Sequence, residues 1–115
     1  MDYIYEIAAL FKDASIVTLV SAISPYMEMR RRARERIGNR EFVEVYVTAD
    51  LQTLIKRDPK GLYRKALAGE ITDFTGISAP YEEPVNPEIT LDTDKVTIEE
   101  GASIVLNYIW KRILI

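Results

Sequence analysis

Residues 15–23, SIVTLVSAI, are β-branched and apolar on both faces. That pattern predicts a buried parallel strand rather than one with a wet face, and such a strand needs neighbours along its edges and cover on both sides. It ends at Ser24-Pro25. Before it, Ile4, Ile7, Ala8 and Phe11 fall at helical spacing and predict an amphipathic helix over 3–12. After it, a helix is expected from about Tyr26 to Ile37, closed by Gly38-Asn39 as a left-handed cap. A second strand is expected over 42–47 (FVEVYV), then a short helix capped by Asp50. Alternation of strand and helix predicts an α/β layer fold.

From Asp58 to Pro87 the regular pattern breaks. Pro59, Gly61, Gly69, Gly76, Pro80, Pro84 and Pro87 punctuate this stretch, which has one short helical piece at 62–68. An irregular stretch of that length inside a domain is usually functional, and a lid is expected at about 58–87. A third short strand follows at 88–91. Thr97 and Glu100 form a capping box before a last helix, whose predicted buried stripe is Ile98, Ala102, Val105, Ile109 and Ile113.

The 115 residues, 48% of them hydrophobic, suffice for one small domain with a core. Fifteen basic residues stand against eighteen acidic ones, a balance that argues against nucleic acid as the main partner. The charge is uneven, though. Residues 27–36 hold five arginines against two glutamates, so one region can meet an anion. Cysteine and histidine are absent, which excludes thiol nucleophiles and zinc-thiolate sites and leaves proton transfer to carboxylate, Lys or Tyr. No metal-binding motif is present. The start, MDYIYEIAALFKD, lacks the basic and small-residue features of a signal peptide, and the 16–23 run is too short to span a bilayer. A soluble cytoplasmic protein without a membrane partner is the expectation.

Four segments, ISPY (23–26), RDPKGLYRKALAGE (57–70), DFTGISAPYEEP (73–84) and NPEITLDTD (86–94), resemble the adenylylsulfate kinase family in order and spacing. The resemblance runs over nearly the whole chain. It implies a partial P-loop nucleoside-triphosphate-hydrolase-like parallel sheet with flanking helices and a lid, missing the N-terminal strands, so that 1–115 is the C-terminal part of such a domain. The implied reaction is transfer of the γ-phosphoryl group of ATP to the 3′-hydroxyl of adenosine 5′-phosphosulfate in sulfate assimilation, with Mg²⁺ and ATP required. Neither is held by a motif in this chain.

Read from the residues, Ser24 follows the carboxyl end of a strand, where open α/β sheets bind ligands; equally, it caps the next helix with Pro25 at the first position. The resemblance implies that Ile23 and Ser24 line the substrate site and that Ser24 is phosphorylated in some members. Arg30 and Arg34, four apart on a helix, offer two guanidinium forks to phosphate or sulfate oxygens, or are simply part of a solvated face. The family has arginines at both positions. Arg31, Arg32 and Arg36 are expected to face solvent or pair with Glu28 or Glu35.

The resemblance further assigns Lys60, with Gly61 and Leu62, to adenylylsulfate binding. It makes Asp73 and Phe74 a clamp on the substrate's adenine. The alternative for Phe74 is a small apolar cluster under the loop, with Tyr81 as partner. For ATP, Arg57 is expected to form one wall and Thr93, Val96 and Gly101 the other, although Arg57 could instead pair with Asp58.

Phosphoryl transfer in this class needs a loop G-x-x-x-x-G-K-[ST]. Gly38, Gly61, Gly69, Gly76 and Gly101 all lie outside such a motif. In the family, the strand carrying that loop lies between those matching 15–23 and 42–47. Three outcomes are open: another chain supplies the missing strands, the two strands pair directly, or the sequence is part of a longer polypeptide. The expected partners are therefore adenylylsulfate, ATP, and either a second copy or a complementing N-terminal half. The chain alone is expected to be inactive. The competing reading is a non-catalytic module that binds adenylylsulfate or nucleotide without turnover.

Overall fold

A computed structural model describes residues 2–112. The chain divides into two compact units, one made of Met1–Val43 with Tyr81–Val85, the other of Glu44–Pro80 with Asn86–Ile115.

The first unit is a pair of helices, α1 (Asp2–Asp13) and α2 (Met27–Ile37). Ala9 and Ala33 are their buried apolar residues, and small side chains let two helix backbones pack closely. Polar ties join the pair as well. Arg36 Nε lies 2.9 Å from a Glu6 carboxylate oxygen, and Lys12 Nζ donates to the Ile37 carbonyl at 2.9 Å. The apolar stripe expected on α1 is shifted, since Ile7 and Phe11 are exposed while Ala9 is buried. Arg36 also differs from expectation, pairing with Glu6 on the other helix. Arg31 pairs with Glu28 and Glu35, and Arg32 with Glu28, as expected.

Residues 16–26 form neither strand nor helix, which overturns the strand expected over 15–23. Leu19 is 80% exposed and Ile23 67%. A strand exists only through its ladder, and among the described residues no strand pairs with this segment. The direct pairing of 15–23 with 42–47 does not occur. The helix that follows starts at Met27, with Tyr26 in the capping position and making no side-chain capping bond. Ser24 is therefore not its cap. At the other end Gly38 closes α2, its N–H bonded to the Arg34 carbonyl at 2.8 Å. Its φ of 108° is positive as expected, with ψ at 133° rather than in the left-handed helical range.

The second unit holds a two-stranded parallel sheet, β1 (Val45–Thr48) and β2 (Ile89–Asp92), with Val45 opposite Ile89 and Thr48 opposite Asp92. Ile89 and Leu91 point to the buried side. Helix α3 (Leu51–Arg57) is capped by the Asp50 carboxylate, which accepts from the Gln52 amide at 3.1 Å. Helix α4 (Leu62–Leu67) starts at Gly61, and α5 (Ile98–Arg112) at Thr97, whose hydroxyl accepts from the Glu100 amide at 3.1 Å. Gly101 is the buried residue of α5; a Cβ there would lie 3.6 Å from Leu91 Cδ1 and 4.0 Å from Val96 Cγ2. The stripe expected on α5 is only partly right. Ile98 is 88% exposed and Ala102 exposed, Val105 and Ile109 are half-buried, and Ile113 lies outside the described residues.

The expected core is thin. Ala9, Ala33, Ala66, Ile89 and Leu91 are the buried apolar residues described, and no large side chain is fully enclosed. No described helix is long and apolar enough to cross a membrane.

Candidate functional site

The carboxyl ends of β1 and β2 carry a connected set of polar contacts in the second unit. The Thr93 amide donates to the Thr48 carbonyl at 2.8 Å, extending the ladder one step, and its hydroxyl donates to the same oxygen at 3.2 Å. That hydroxyl also accepts from Arg57 Nη1 at 2.9 Å, while Arg57 Nη2 donates to the Thr93 carbonyl at 3.1 Å. Arg57 thus holds an exposed, planar guanidinium beside the strand ends rather than pairing with Asp58. Asp94 joins the cluster: its carboxylate accepts from the Asp50 amide at 2.8 Å and from the Thr53 hydroxyl. These bonds, followed by the charges of Arg57 and Lys95, hold the Asp94 pKa below its ordinary value. Of the four residues expected around ATP, the structure brings Arg57 to Thr93 and Val96 to Gly101.

Asp58 organises the start of the stretch expected to be a lid. Its carboxylate accepts from the amides of Tyr63 at 3.0 Å and Arg64 at 3.1 Å, filling the free donors of the first turn of α4. Gly61 takes φ 68° to admit this turn, with the Arg64 guanidinium 3.1 Å from where its Cβ would stand. Lys60 is exposed beside it, and Leu62 is exposed at the helix start. Asp58 was not among the expected site residues, although an Asp five positions before the helical Tyr63, with Gly61 between, carries a capping signal.

Further along, Asp73 adopts φ 53° and leads into a closed loop. The Phe74 carbonyl accepts from the amides of Ile77, Ser78 and Ala79, and the Phe74 amide donates to Ser78 Oγ at 2.7 Å. The Phe74 ring meets Tyr63 edge-on, with centroids 5.0 Å apart and planes at 74°. Phe74 therefore has Tyr63 as its aromatic partner, not Tyr81.

In the first unit the two arginines expected to offer their guanidinium forks to phosphate or sulfate oxygens, or to lie on a solvated face, engage different groups. Arg34 lies over the Phe42 ring at 4.7 Å and donates to Asn39 Oδ1 at 3.0 Å. Arg30 is buried, donates to the carbonyls of Ser24 and Glu82, and sits 5.7 Å from the Tyr81 ring centroid. Ser24 is half-buried with φ 45°.

The adenylylsulphate kinase family model matches residues 1–92. The chain belongs to that family. Adenylyl-sulfate kinase of Halothermothrix orenii is 56% identical over 103 residues, and the probable adenylyl-sulfate kinase of Halalkalibacterium halodurans 52% over 104. Each alignment covers 90% of this chain but 55% and 52% of those proteins, so the chain spans about half the length of the curated relatives it matches. Among solved structures, the Mycobacterium tuberculosis APS kinase in complex with AMPPNP and APS superimposes with a TM-score of 0.85 at 43% identity. That match covers 91% of this chain and 61% of the other.

Adenylylsulphate kinases use ATP, and ATP chemistry ordinarily involves Mg²⁺. Among the described residues no group of three or more Asp, Glu, His or Cys side chains could hold a metal ion. Asp94, the carboxylate beside Arg57, already accepts an amide and a hydroxyl. These residues do not fit a magnesium site by themselves. The guanidinium of Arg57 is exposed and fixed at the strand ends by its two bonds to Thr93.

Proposed function

We propose that this chain forms the acceptor-binding and lid portion of an adenylyl-sulfate kinase, whose reaction phosphorylates the 3′-hydroxyl of adenosine 5′-phosphosulfate with ATP. The reading is carried by the lid: Asp58 and Gly61 set the start of α4, and Tyr63 on that helix fixes the Phe74 ring in a closed loop. In a T-shaped pair at least one face of the Phe74 ring stays clear of Tyr63, and an aromatic face suits a planar base. Lys60, Gly61, Leu62, Asp73 and Phe74 are assigned to the adenylylsulfate with Ile23, Ser24 and Arg34, whose guanidinium suits a sulfate or phosphate oxygen. Arg57, Thr93, Val96 and Gly101 are assigned to the ATP base.

Catalysis needs electrostatic positioning of the transferred phosphoryl group. This sequence has no phosphate-gripping loop, so the proposal includes that the chain turns over only when a segment bearing G-x-x-x-x-G-K-[ST], with its magnesium site, is supplied. The cytoplasm, where ATP is abundant, is the proposed location.

A coupled assay of ATP consumption with adenylylsulfate, on the chain alone and mixed with such a segment, tests this. Turnover only in the mixture is expected. Turnover by the chain alone would contradict the account of phosphate binding, whereas adenylylsulfate binding with no turnover in either case would favour a non-catalytic binding module.

A further inference from the structure

Arg30 is 9% exposed, and a buried guanidinium is tolerated only where its donors are satisfied. Two of its partners are main-chain carbonyls far apart in sequence: Nη1 donates to Ser24 O and Nη2 to Glu82 O, each at 2.5 Å. The planar fork suits this task, since two roughly parallel donors can join two carbonyls in one fixed spacing. The same two segments are tied twice more. The Glu82 amide donates to the Pro25 carbonyl at 2.8 Å, and the Met27 amide donates to Glu82 Oε1 at 2.7 Å. A carboxylate at that point satisfies a free donor of the first turn of α2 and opposes the positive end of its dipole.

Ser24 adopts φ 45°, which an L-residue holds only where its surroundings require it. Its carbonyl is the atom that Arg30 grips.

From this geometry we infer that Arg30 is a positioning residue, not an anion ligand: with Glu82 it latches Tyr81–Val85 onto the Ser24–Tyr26 turn and holds Ser24 in its left-handed conformation. The latch closes the far end of the irregular 58–87 stretch onto the turn that carries Ile23 and Ser24. Its consequence for substrate rests on the acceptor-site reading above: Ser24 meets adenylylsulfate in the orientation that Arg30 and Glu82 set.

Amide hydrogen exchange on the full chain tests the latch without reference to substrate. In Arg30→Ala the Glu82 amide is expected to exchange about tenfold faster or more, as loss of a charge-assisted bond pair implies, while the Thr93 amide of the sheet is unchanged. Arg30→Lys keeps the charge but cannot span both carbonyls, so it should show the same loss and serves where the alanine variant unfolds. Glu82→Ala should speed exchange at Met27. Unchanged protection of Glu82 in both Arg30 variants overturns the latch. Titration with adenylylsulfate separates the two claims. If the unaltered chain binds it, Arg30→Lys and Glu82→Ala should both weaken binding, and weakening by the Arg30 variants with Glu82 protection intact would make Arg30 a ligand and overturn the latch. If the unaltered chain fails to bind, the acceptor-site reading falls, and the latch is judged by exchange alone.

Discussion

Arg57 reaches across from the end of α3 to grip Thr93 twice, through the hydroxyl at 2.9 Å and the carbonyl at 3.1 Å. The hydroxyl bond fixes the guanidinium plane. Thr93→Val keeps the shape and the carbonyl bond but removes the hydroxyl acceptor, at a cost of about 1 kcal/mol. In the kinase assembled with its phosphate-binding segment, ATP affinity is expected to fall severalfold with adenylylsulfate affinity unchanged. Calorimetric titration of both ligands checks this, and equal losses would remove Arg57 from the ATP wall.

Gly61 stands in the left-handed region, and any side chain there also meets the Arg64 guanidinium. Gly61→Ala should destabilise the chain by about 1–2 kcal/mol. Chemical denaturation measures that loss, while Gly69→Ala, at a comparable φ of 79° but in open space, reports the backbone strain without the contact.

Phe74→Ala removes the ring that Tyr63 steadies, and Lys60→Ala removes an exposed cation beside Gly61. Both changes, made in the assembled kinase, should weaken adenylylsulfate more than ATP. Tyr63→Leu should reproduce part of the Phe74 effect. Parallel loss for both ligands counts against the clamp.

The hydrogen bond from Arg36, helped by its charge, holds the Glu6 carboxyl below the ordinary carboxylate range. A depressed folded pKa means stability that is present above about pH 4, the unfolded value, and lost as pH falls through the folded one. Glu28, held down by Arg31 in the same way, adds to this acid limb. Thermal midpoints followed from pH 7 to pH 3 should therefore fall. Glu6→Gln should start lower and fall less steeply, with the difference shrinking in high salt.

Among the described residues Val17 to Ile23 make no backbone hydrogen bond, and the run carries no charge from Ala14 to Met27. Uncharged β-branched segments with unpaired backbone associate readily. Sedimentation velocity should show association that grows with concentration, and Leu19→Lys should suppress it. A parent chain that sediments as a monomer at every concentration would refute this.

What the sequence made legible follows the range of the forces involved. Gly38, Asp50 and Thr97 announce helix ends because capping is local, and each lies within a residue or so of its expected boundary. Residues 45–48 and 89–92 could be read because their patterns match the partners they have. Residues 15–23 carry as strong a strand pattern, yet a pattern states only what a segment would do beside neighbours. Ile98 fits a helical stripe but sits at the exposed first position of α5, where Thr97 fixes the rotation. In the candidate site, Arg57 and Thr93 were expected near each other, and they are hydrogen-bonded. The partners of Arg30, Arg36 and Phe74 were not foreseeable, because a hydrogen bond between residues 6 and 36 or 30 and 82 leaves no local signature.

Met27 is separated from Glu82 by 55 positions. A ribosome making this chain completes α2 long before the residue that finishes its first turn exists. Until Glu82 emerges, the Met27 amide has water as its partner and Arg30 lacks one of its two carbonyls. The α1–α2 pair is thus completed only after β1, α3 and α4 have been made, a high-contact-order arrangement.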